Sequence, residues 1–566
     1  MRMLVSCRVA WLLPAILAWS IHSSVLADSP SSSPAVPTEG TLSAIATVKS
    51  ADPDAVLERA LELERKRNWT GAIELYERAL EQWPSRTDFS HRRRLCETHF
   101  RLVRRYQDQS FRNVLLKLPR ERALSLYDEL LERIETHYVD PVPLEPLIRR
   151  GLDNLEVALR DPSFLETNVG GAAPERVTWL RESLRRQRES LTVPDRAAAQ
   201  SQVNYTCELA KRAIRLGDAA VILEFTYGAC DALDDYTTYL TPDKLDDLYA
   251  MIDGNFVGMG IELKQDSEGL RIVGVIRRGP AWEAGLKAGD QITHVAGRPV
   301  KGLSLDEAAN RLQGAEGTAI DIVVARTGNA PKSYRIVRRH VEVESVAEAK
   351  IVDPSLGVGY LQLTGFQKGT TEELEKNVAA LRALGMRSLV IDLRGNPGGL
   401  LNVAVEIAER FIDQGVIVST RGRAPNQTQI YRANARAVWK MPLYVLIDHD
   451  SASASEILAG ALKDHRRAVV IGERSYGKGS VQSIFALRSA PAGLKLTTAK
   501  FYSPRSRPYS EQGVEPDILV RVAARPPADG EGEASVDSNP SLGDPRTDPV
   551  LEQAIRHAKS QLNAAR

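Results

Sequence analysis

Two hydrophobic periods divide this chain. From residue 53 to about 245, apolar positions recur every three to four residues, which predicts a mostly helical region. Ala60 to Leu80 reads as two amphipathic helices about a short turn. Beyond residue 253 the pattern shortens to runs bounded by glycine and proline, the mark of strands and turns. Val257–Leu263 is a glycine loop leading into a predicted strand, Ile272–Ile276 and Ala319–Arg326 are further strands, and Ser304–Leu312 is an amphipathic helix. Further on, a buried strand opening Arg387–Leu400 and a short strand at Ala468–Gly472 alternate with helices Leu401–Phe411 and 454–464. Pro549–Ala564 is a terminal amphipathic helix, suited to docking on the body or to self-association as a homo-oligomer.

The first residues follow neither period. Arg2 and Arg8 precede an apolar run, Val9–Trp19, and Val25-Leu-Ala27 fits a small-residue cleavage site. This reads as a secretory signal peptide over 1–27, too short for a membrane span, with the mature chain periplasmic or secreted. Residues 28–52, rich in Ser, Pro and Ala, read as a linker. Cleavage after Ala27 removes two arginines and no acid, which takes 74 basic and 73 acidic residues to 72 and 73. That balance gives no reason to expect nucleic acid or an anionic membrane as partner. Cleavage also removes Cys7 and leaves Cys96, Cys207 and Cys230; Cys207–Cys230 as a disulfide and reduced buried thiols both fit the count. Residues 524–548, rich in Pro, Gly, Asp and Ser, are expected to be disordered.

The chemistry lies in Ser451-Ala-Ser-Ala-Ser-Glu-Ile and Gly472-Glu-Arg-Ser-Tyr-Gly-Lys-Gly-Ser-Val-Gln482. Ser453 opens a predicted helix, and Lys478 follows 25 positions later between two glycines. A helix of that length travels roughly 16 Å, and a strand of five or six residues travels about 17–20 Å. If the strand runs back beside the helix, the lysine loop returns to the level of the serine. A serine hydroxyl needs a base to take its proton. A lysine serves only when desolvation keeps its amine neutral. Gly477 and Gly479 permit close backbone packing there, and Gln482 has the reach to orient the amine without adding charge. Ser451 or Ser455 as the reactive hydroxyl, or as helix cap, stays open on residue pattern alone.

The run Asp392-Leu-Arg-Gly-Asn-Pro-Gly-Gly399 ends a buried strand in a glycine turn, which bares backbone N–H groups such as acyl transfer needs around an oxyanion. Ala454, next to the serine, is the natural second donor. A Ser–His–Asp arrangement is disfavoured: His449 sits between Asp448 and Asp450 on one local segment, and His465 lies at the far end of the serine helix. No His-Glu-x-x-His or Cys-x-x-Cys occurs, so neither a metal nor another cofactor is expected.

Together these segments resemble the carboxyl-terminal processing proteases, the Ser/Lys family that includes the tail-specific proteases. Gly359-Tyr-Leu-Gln-Leu-Thr-Gly-Phe366 looks like the family's opening strand and Gln512-Gly-Val-Glu-Pro-Asp-Ile518 like its closing motif. The resemblance implies Ser453 as nucleophile, Lys478 as general base and Gln482 as its orienter. It implies an oxyanion hole at Ala454 and the Gly398/Gly399 turn, with the donating glycine undecided. It also implies a core of Clp-protease/crotonase type with a mixed sheet. Residues 253–340 resemble a PDZ domain of the bacterial protease type. The loop Val257-Gly258-Met259-Gly260-Ile261 would hold a peptide's terminal carboxylate while a strand edge pairs with the peptide. Where such domains often carry arginine before the helix-ending glycine, this chain has Gln313. Residues 60–80 resemble one tetratricopeptide unit, for which a plain helical hairpin is the safer reading. Relative to the family, the helices of about 160–230 are an insertion.

The expected architecture is therefore multidomain: leader 1–27, linker 28–52, helical region 53–245, mostly-β PDZ domain 246–342, α/β protease core 343–523, and tail with terminal helix 524–566. The expected function is an extracytoplasmic serine endopeptidase that captures the free C-termini of protein or peptide substrates. A non-catalytic ligand-binding protein or PDZ adaptor on the same fold is the competing class.

Overall fold

The computed structural model describes residues 3–5, 52–266, 269–301, 311–312, 314–326, 328–434, 437–521 and 542–564. Most of the leader, the linker, most of the predicted helix Ser304–Leu312, Gln313 and most of the tail lie outside them. The chain forms two compact units: residues 30–246 with 482–497, and the remainder.

The first unit is helical, with helices from Pro53–Arg65 to Asp218–Asp231. Pro53–Arg65 and Trp69–Gln82 form the predicted hairpin, closed by Asn68, whose side chain accepts the Gly71 N–H at 3.0 Å. The helices of the predicted insertion are Pro162–Val169, Pro174–Glu189 and Arg196–Ile214. They share one apolar core with Leu126, Leu130, Leu155 and Phe225. Leu487, Leu494 and Leu496 of the 482–497 segment join that core. Cys96, Cys207 and Cys230 are free and buried, which decides for reduced thiols over the disulfide. Burial pushes the Cys207 thiol up to about 12, so none behaves as an exposed reactive thiol.

The second unit holds the β-rich domain and the α/β core. Five strands, Ile261–Asp266, Gly269–Val275, Gln291–Val295, Ala319–Ala325 and Lys332–Val337, form an antiparallel sheet around Ile272, Ile292, Ile322 and Val324. The edge strand Ile261–Asp266 also takes Met3–Val5 as an antiparallel neighbour, Val5 opposite Ile261.

The core sheet has six strands in chain order: β1 (Val346–Asp353), β2 (Val358–Leu363), β3 (Ser388–Asp392), β4 (Leu443–Ile447), β5 (Val469–Gly472) and β6 (Ile518–Leu519). β1 is antiparallel to β2 and every other pairing is parallel, so the sheet is mixed as expected. Helices α1 (Thr370–Ala383), α2 (Leu401–Glu409) and α3 (Ala454–Asp464) pack on one face against Leu389, Ile391, Val445 and Val470. Helix α4 (Pro549–Ala564) covers the other with Val550, Leu551 and Ala554 against Tyr360, Val390, Tyr444 and Ile471. Burial on both faces explains why β3 and β4 read as continuous apolar runs.

One expectation fails in part: of the segment 524–548 expected to be disordered, residues 524–541 lie outside the described residues. Residues 542–548 are ordered rather than disordered. Gly543 turns at φ 83°, where a Cβ would fall 2.8 Å from Glu348 Oε2 and 3.0 Å from Tyr360 Cε1, and Asp548 is 1 % exposed. The local composition is polar, but the polar groups are spent on capping α4 and on an ion pair described below.

Among the described residues, no helix is long and apolar enough to cross a membrane, and no cluster of His, Cys, Asp and Glu has the grouping of a metal site.

Candidate active site

Three loops leave the carboxyl ends of the adjacent parallel strands β3, β4 and β5, the edge where open α/β sheets bind ligands. The first carries Gly398 and Gly399, the second Ser453, the third Lys478. Ile447 pairs with Gly472, so the serine and lysine loops start at the same level. α3 spans Ala454–Asp464 and β5 returns beside it, the geometry the spacing anticipates.

Ser453 caps α3 with φ 58° and ψ −114°, a left-handed backbone costly for a side chain with a Cβ. Such strain is held only where neighbours fix it. The fixing group is Glu456, fully buried at 0 % exposure. Its Oε2 accepts the Ser453 N–H at 2.8 Å and the Lys478 N–H at 3.1 Å; its Oε1 accepts the Gly477 N–H at 2.6 Å and the Ser475 hydroxyl at 2.8 Å. One carboxylate oxygen thus bridges the backbones of Ser453 and Lys478. The Tyr476 N–H adds a bond to the Ser451 carbonyl at 3.0 Å. Burial pushes the Glu456 carboxyl above its usual range, and the four donors offset only part of that. Both Ser453 and Lys478 are half-buried.

The alternatives left open by the sequence separate cleanly. The Ser451 hydroxyl donates to the Leu393 carbonyl at 2.9 Å and the Ser455 hydroxyl to the Asn396 carbonyl at 2.9 Å, and both residues are 0 % exposed. Their hydroxyls hold the glycine turn. His465 bonds the Val416 carbonyl through Nε2 at 2.7 Å, and His449 lies exposed beside Asp450.

The lysine loop depends on its glycines. Gly479 has φ 57°, and a Cβ there would fall 2.2 Å from the Ser510 nitrogen. At Gly477, φ 87°, a Cβ would meet Glu511 and Gly513 backbone at 3.1 Å. The loop is therefore pressed against residues 510–513, which lead into the predicted closing motif Gln512–Ile518. Gln482 is half-buried and opens the 482–497 segment of the helical unit.

In the glycine turn, the Gly398 N–H already donates to Asn396 Oδ1 at 2.9 Å. A Cβ at Gly398, φ 101°, would lie 2.8 Å from both Ser453 Cβ and the Ala454 nitrogen, so glycine keeps that space open. Among the described residues no acceptor is found for the N–H groups of Gly399 and Ala454. The latter is the first N–H of α3, an orphan donor at the positive helix end. Asn396 holds the turn together: its Nδ2 donates to the Leu363 carbonyl at 2.7 Å and its carbonyl accepts the Ala452 N–H at 3.1 Å. Asp448 accepts the Gly395 N–H at 3.0 Å.

In the β-rich domain, Gly260 turns at φ 77°, and the Ala281 N–H donates to the Met259 carbonyl at 2.8 Å. The N–H groups of Met259 and Gly260 have no acceptor among the described residues.

Sequence reading missed Glu456, Asn396, Asp448 and the Asp392–Arg394–Asp548 group. Glu456 was within reach, because Ser453-Ala-Ser-Glu456 has the Ser-x-x-Glu spacing of a capping box. Asp392 was signalled by a lone charge ending an apolar strand.

Residues 357–520 match the profile of peptidase family S41, and residues 271–326 that of a PDZ domain. The chain is 37% identical over 309 residues to a carboxy-terminal-processing protease of Bartonella bacilliformis, covering 54% of this chain and 70% of that one. It is 34% identical over 330 residues to the carboxyl-terminal-processing protease of Synechocystis sp., covering 56% and 77%. A probable CtpA-like serine protease of Staphylococcus aureus is 33% identical over 289 residues, covering 51% and 57%. With two relatives above 30% identity and matched over most of their length, the chain belongs to the carboxy-terminal-processing proteases, serine endopeptidases with a PDZ domain.

Proposed function

We propose that this protein is an extracytoplasmic endopeptidase that cleaves near the free C-termini of protein substrates, with Ser453 as nucleophile and Lys478 as general base. The observation that carries the reading is the single Glu456 oxygen joining the Ser453 and Lys478 amides. Nothing in a purely structural helix cap requires the lysine loop to share it. In the reaction, Ser453 Oγ attacks the scissile carbonyl as the neutral Lys478 amine takes its proton. The ammonium returns that proton to the leaving amine. Water then attacks the acyl-enzyme and gives a proton to Lys478; the carbonyl–Oγ bond breaks, Lys478 returns that proton to Ser453 Oγ, and the new carboxyl terminus is released. The Ala454 and Gly399 N–H groups serve as oxyanion donors, and the commitment of the Gly398 N–H to Asn396 favours Gly399 of the two glycines. Gln482 is the orienter of the lysine amine.

In this reading the loop 257–261 captures the substrate's terminal carboxylate on the Met259 and Gly260 N–H groups. The polarity of Met3–Val5 supports it, because that strand runs N to C toward Ile261 and the loop, as a C-terminal peptide must. The domain boundaries at 246–342 and 343–523, a core of Clp-protease/crotonase type, a leader cut after Ala27 and homo-oligomerisation belong to the same proposal.

Serine-reactive phosphonate should label wild-type protein at Ser453, and Ser453→Ala and Lys478→Ala should each lower kcat on a free-acid peptide by about 10⁴-fold or more. Undiminished cleavage by either variant would remove the dyad. Equal turnover of amidated and free-acid peptides would remove carboxylate capture alone.

A further inference from the structure

Asp548 stands beyond residue 520, where the protease-family match ends, yet it is built into the base of the glycine turn. Arg394, the third residue of Asp392-Leu-Arg-Gly-Asn-Pro-Gly-Gly, lies buried between two carboxylates. Its Nε donates to Asp392 Oδ1 at 2.9 Å and its Nη2 to Asp392 Oδ2 at 2.6 Å. From the other side Nη1 donates to Asp548 Oδ1 at 2.9 Å and Nη2 to Asp548 Oδ2 at 2.6 Å. Both contacts are two-pronged, the geometry that fixes a guanidinium in position and plane. Asp548 in turn caps α4, accepting the Leu551 N–H at 3.1 Å, and closes its own turn by accepting the Gly543 N–H at 3.2 Å. Burial alone would raise its carboxyl, but the Arg394 guanidinium outweighs this and holds it below the usual carboxylate range.

The turn that follows is short. Leu393 and Asn396 close it through the Asn396 N–H to Leu393 carbonyl bond at 3.1 Å, and Gly395 turns at φ 68°. On the serine side it is held by Ser451 and Ser455, through the carbonyls of Leu393 and Asn396. On the opposite face of the sheet, Arg394 is the turn's anchor, and half of that anchor comes from Asp548. Gly399 lies five residues from Arg394.

We propose that Asp548 is a positioning residue for peptide cleavage: the N-cap of the C-terminal helix clamps Arg394 and thereby sets the Gly395–Gly399 turn at the oxyanion position. This rests on the assignment of the Ser453 site made above. The clamp fixes donors that act on the tetrahedral intermediate, so its loss lowers kcat and leaves KM nearly unchanged.

The test uses the full-length chain and three variants. Asp548→Asn keeps the shape and the helix-capping oxygen and removes the charge that opposes Arg394. Leu551→Ala loosens α4 through its apolar contacts and leaves the ion pair intact. Ser453→Ala controls for the site itself. The readouts are kcat and KM on a free-acid peptide, affinity for a peptide boronate that forms a tetrahedral adduct on the serine, and Tm. Asp548→Asn is expected to lower kcat roughly 30- to 100-fold and to weaken boronate binding by a similar factor, with KM within about twofold. Leu551→Ala is expected to lower Tm at least as much while kcat stays within about twofold. The proposal is overturned if Asp548→Asn keeps kcat within twofold. It is also overturned if Leu551→Ala loses as much kcat for the same fall in Tm, since the effect is then general loosening. Activity surviving in Ser453→Ala would instead strike the site assignment.

Discussion

Glu456 and Asp548 are both buried carboxylates within one α/β core, and both brace an active-site loop, yet their acidities move in opposite directions. Glu456 is surrounded by three backbone N–H groups and one hydroxyl. Dipoles offset part of its burial cost and its carboxyl stays above the usual range. Asp548 faces a guanidinium, and a full opposite charge reverses the shift. The comparison separates two ways of holding a loop. A charge met by dipoles costs stability and gains fine placement of several backbone groups at once. A charge met by a counter-charge ties two distant segments and costs little once both are in place, although removing one partner strands the other.

The largest effect that would break this comparison is at Glu456. Glu456→Gln keeps the size but replaces one oxygen by an NH₂ aimed at N–H donors, so at least one of the four bonds is lost. Activity is expected to fall roughly 100-fold or more, since a shift of the serine or lysine backbone of about 1 Å has that consequence. Thermal stability at neutral pH should change little, because the variant also removes a poorly compensated charge. Steady-state kinetics beside calorimetry check both. A variant with full activity, or one that loses activity only in proportion to Tm, would reduce Glu456 to an ordinary cap.

A smaller, sharper effect is the pH dependence. The folded Glu456 carboxyl titrates above its ordinary 4.5, so the folded chain holds that proton more tightly than the unfolded chain does. Its contribution to stability is therefore full below 4.5 and is lost as pH rises through the folded value. Function runs the other way, because only the ionised carboxylate accepts all four donors. The Asp548 carboxyl lies below its ordinary 3.8; its contribution is present above 3.8 and is lost as pH falls through the folded value. Because a neutral Lys478 already imposes one acid limb on kcat/KM, the expected outcome is a second, steeper fall at the acid end where Glu456 also takes its proton, which Glu456→Gln returns to a one-proton slope and Asp548→Asn leaves steep. If both variants keep the steeper fall, the two carboxylates are not distinguished by function.

The same comparison explains what the residue pattern disclosed. The serine helix was legible to the residue, Ala454–Asp464, because its apolar stripe and the return strand Val469–Gly472 are local patterns. The glycine turn and the two glycines around Lys478 were legible because positive φ and close backbone approach leave glycine little competition. Glu456 was encoded locally and overlooked. Asp548 could not be read, since its partner Arg394 lies 154 positions away and its own neighbourhood has the composition of a disordered tail. Local polarity is a poor guide where a single ion pair fixes the chain.

Lys495 extends the argument to a cation, in the helical unit. It lies opposite Thr238 in an antiparallel pair, and burial pushes its amine down to about 8, with Asp234 opposing only in part. Like Glu456, it is a desolvated charge without adequate compensation. Below about pH 8 both folded and unfolded chains hold the proton, and the full burial cost is present; from about 8 to 10.5 the folded chain releases it first, so stability from this group rises with pH. Lys495→Met should therefore raise Tm at pH 7 by about one to three degrees, with the gap to wild type closing as pH approaches 10.5. Parallel Tm profiles for the two proteins would show that the amine keeps its hydration in the fold and is not a desolvated charge of the Glu456 kind.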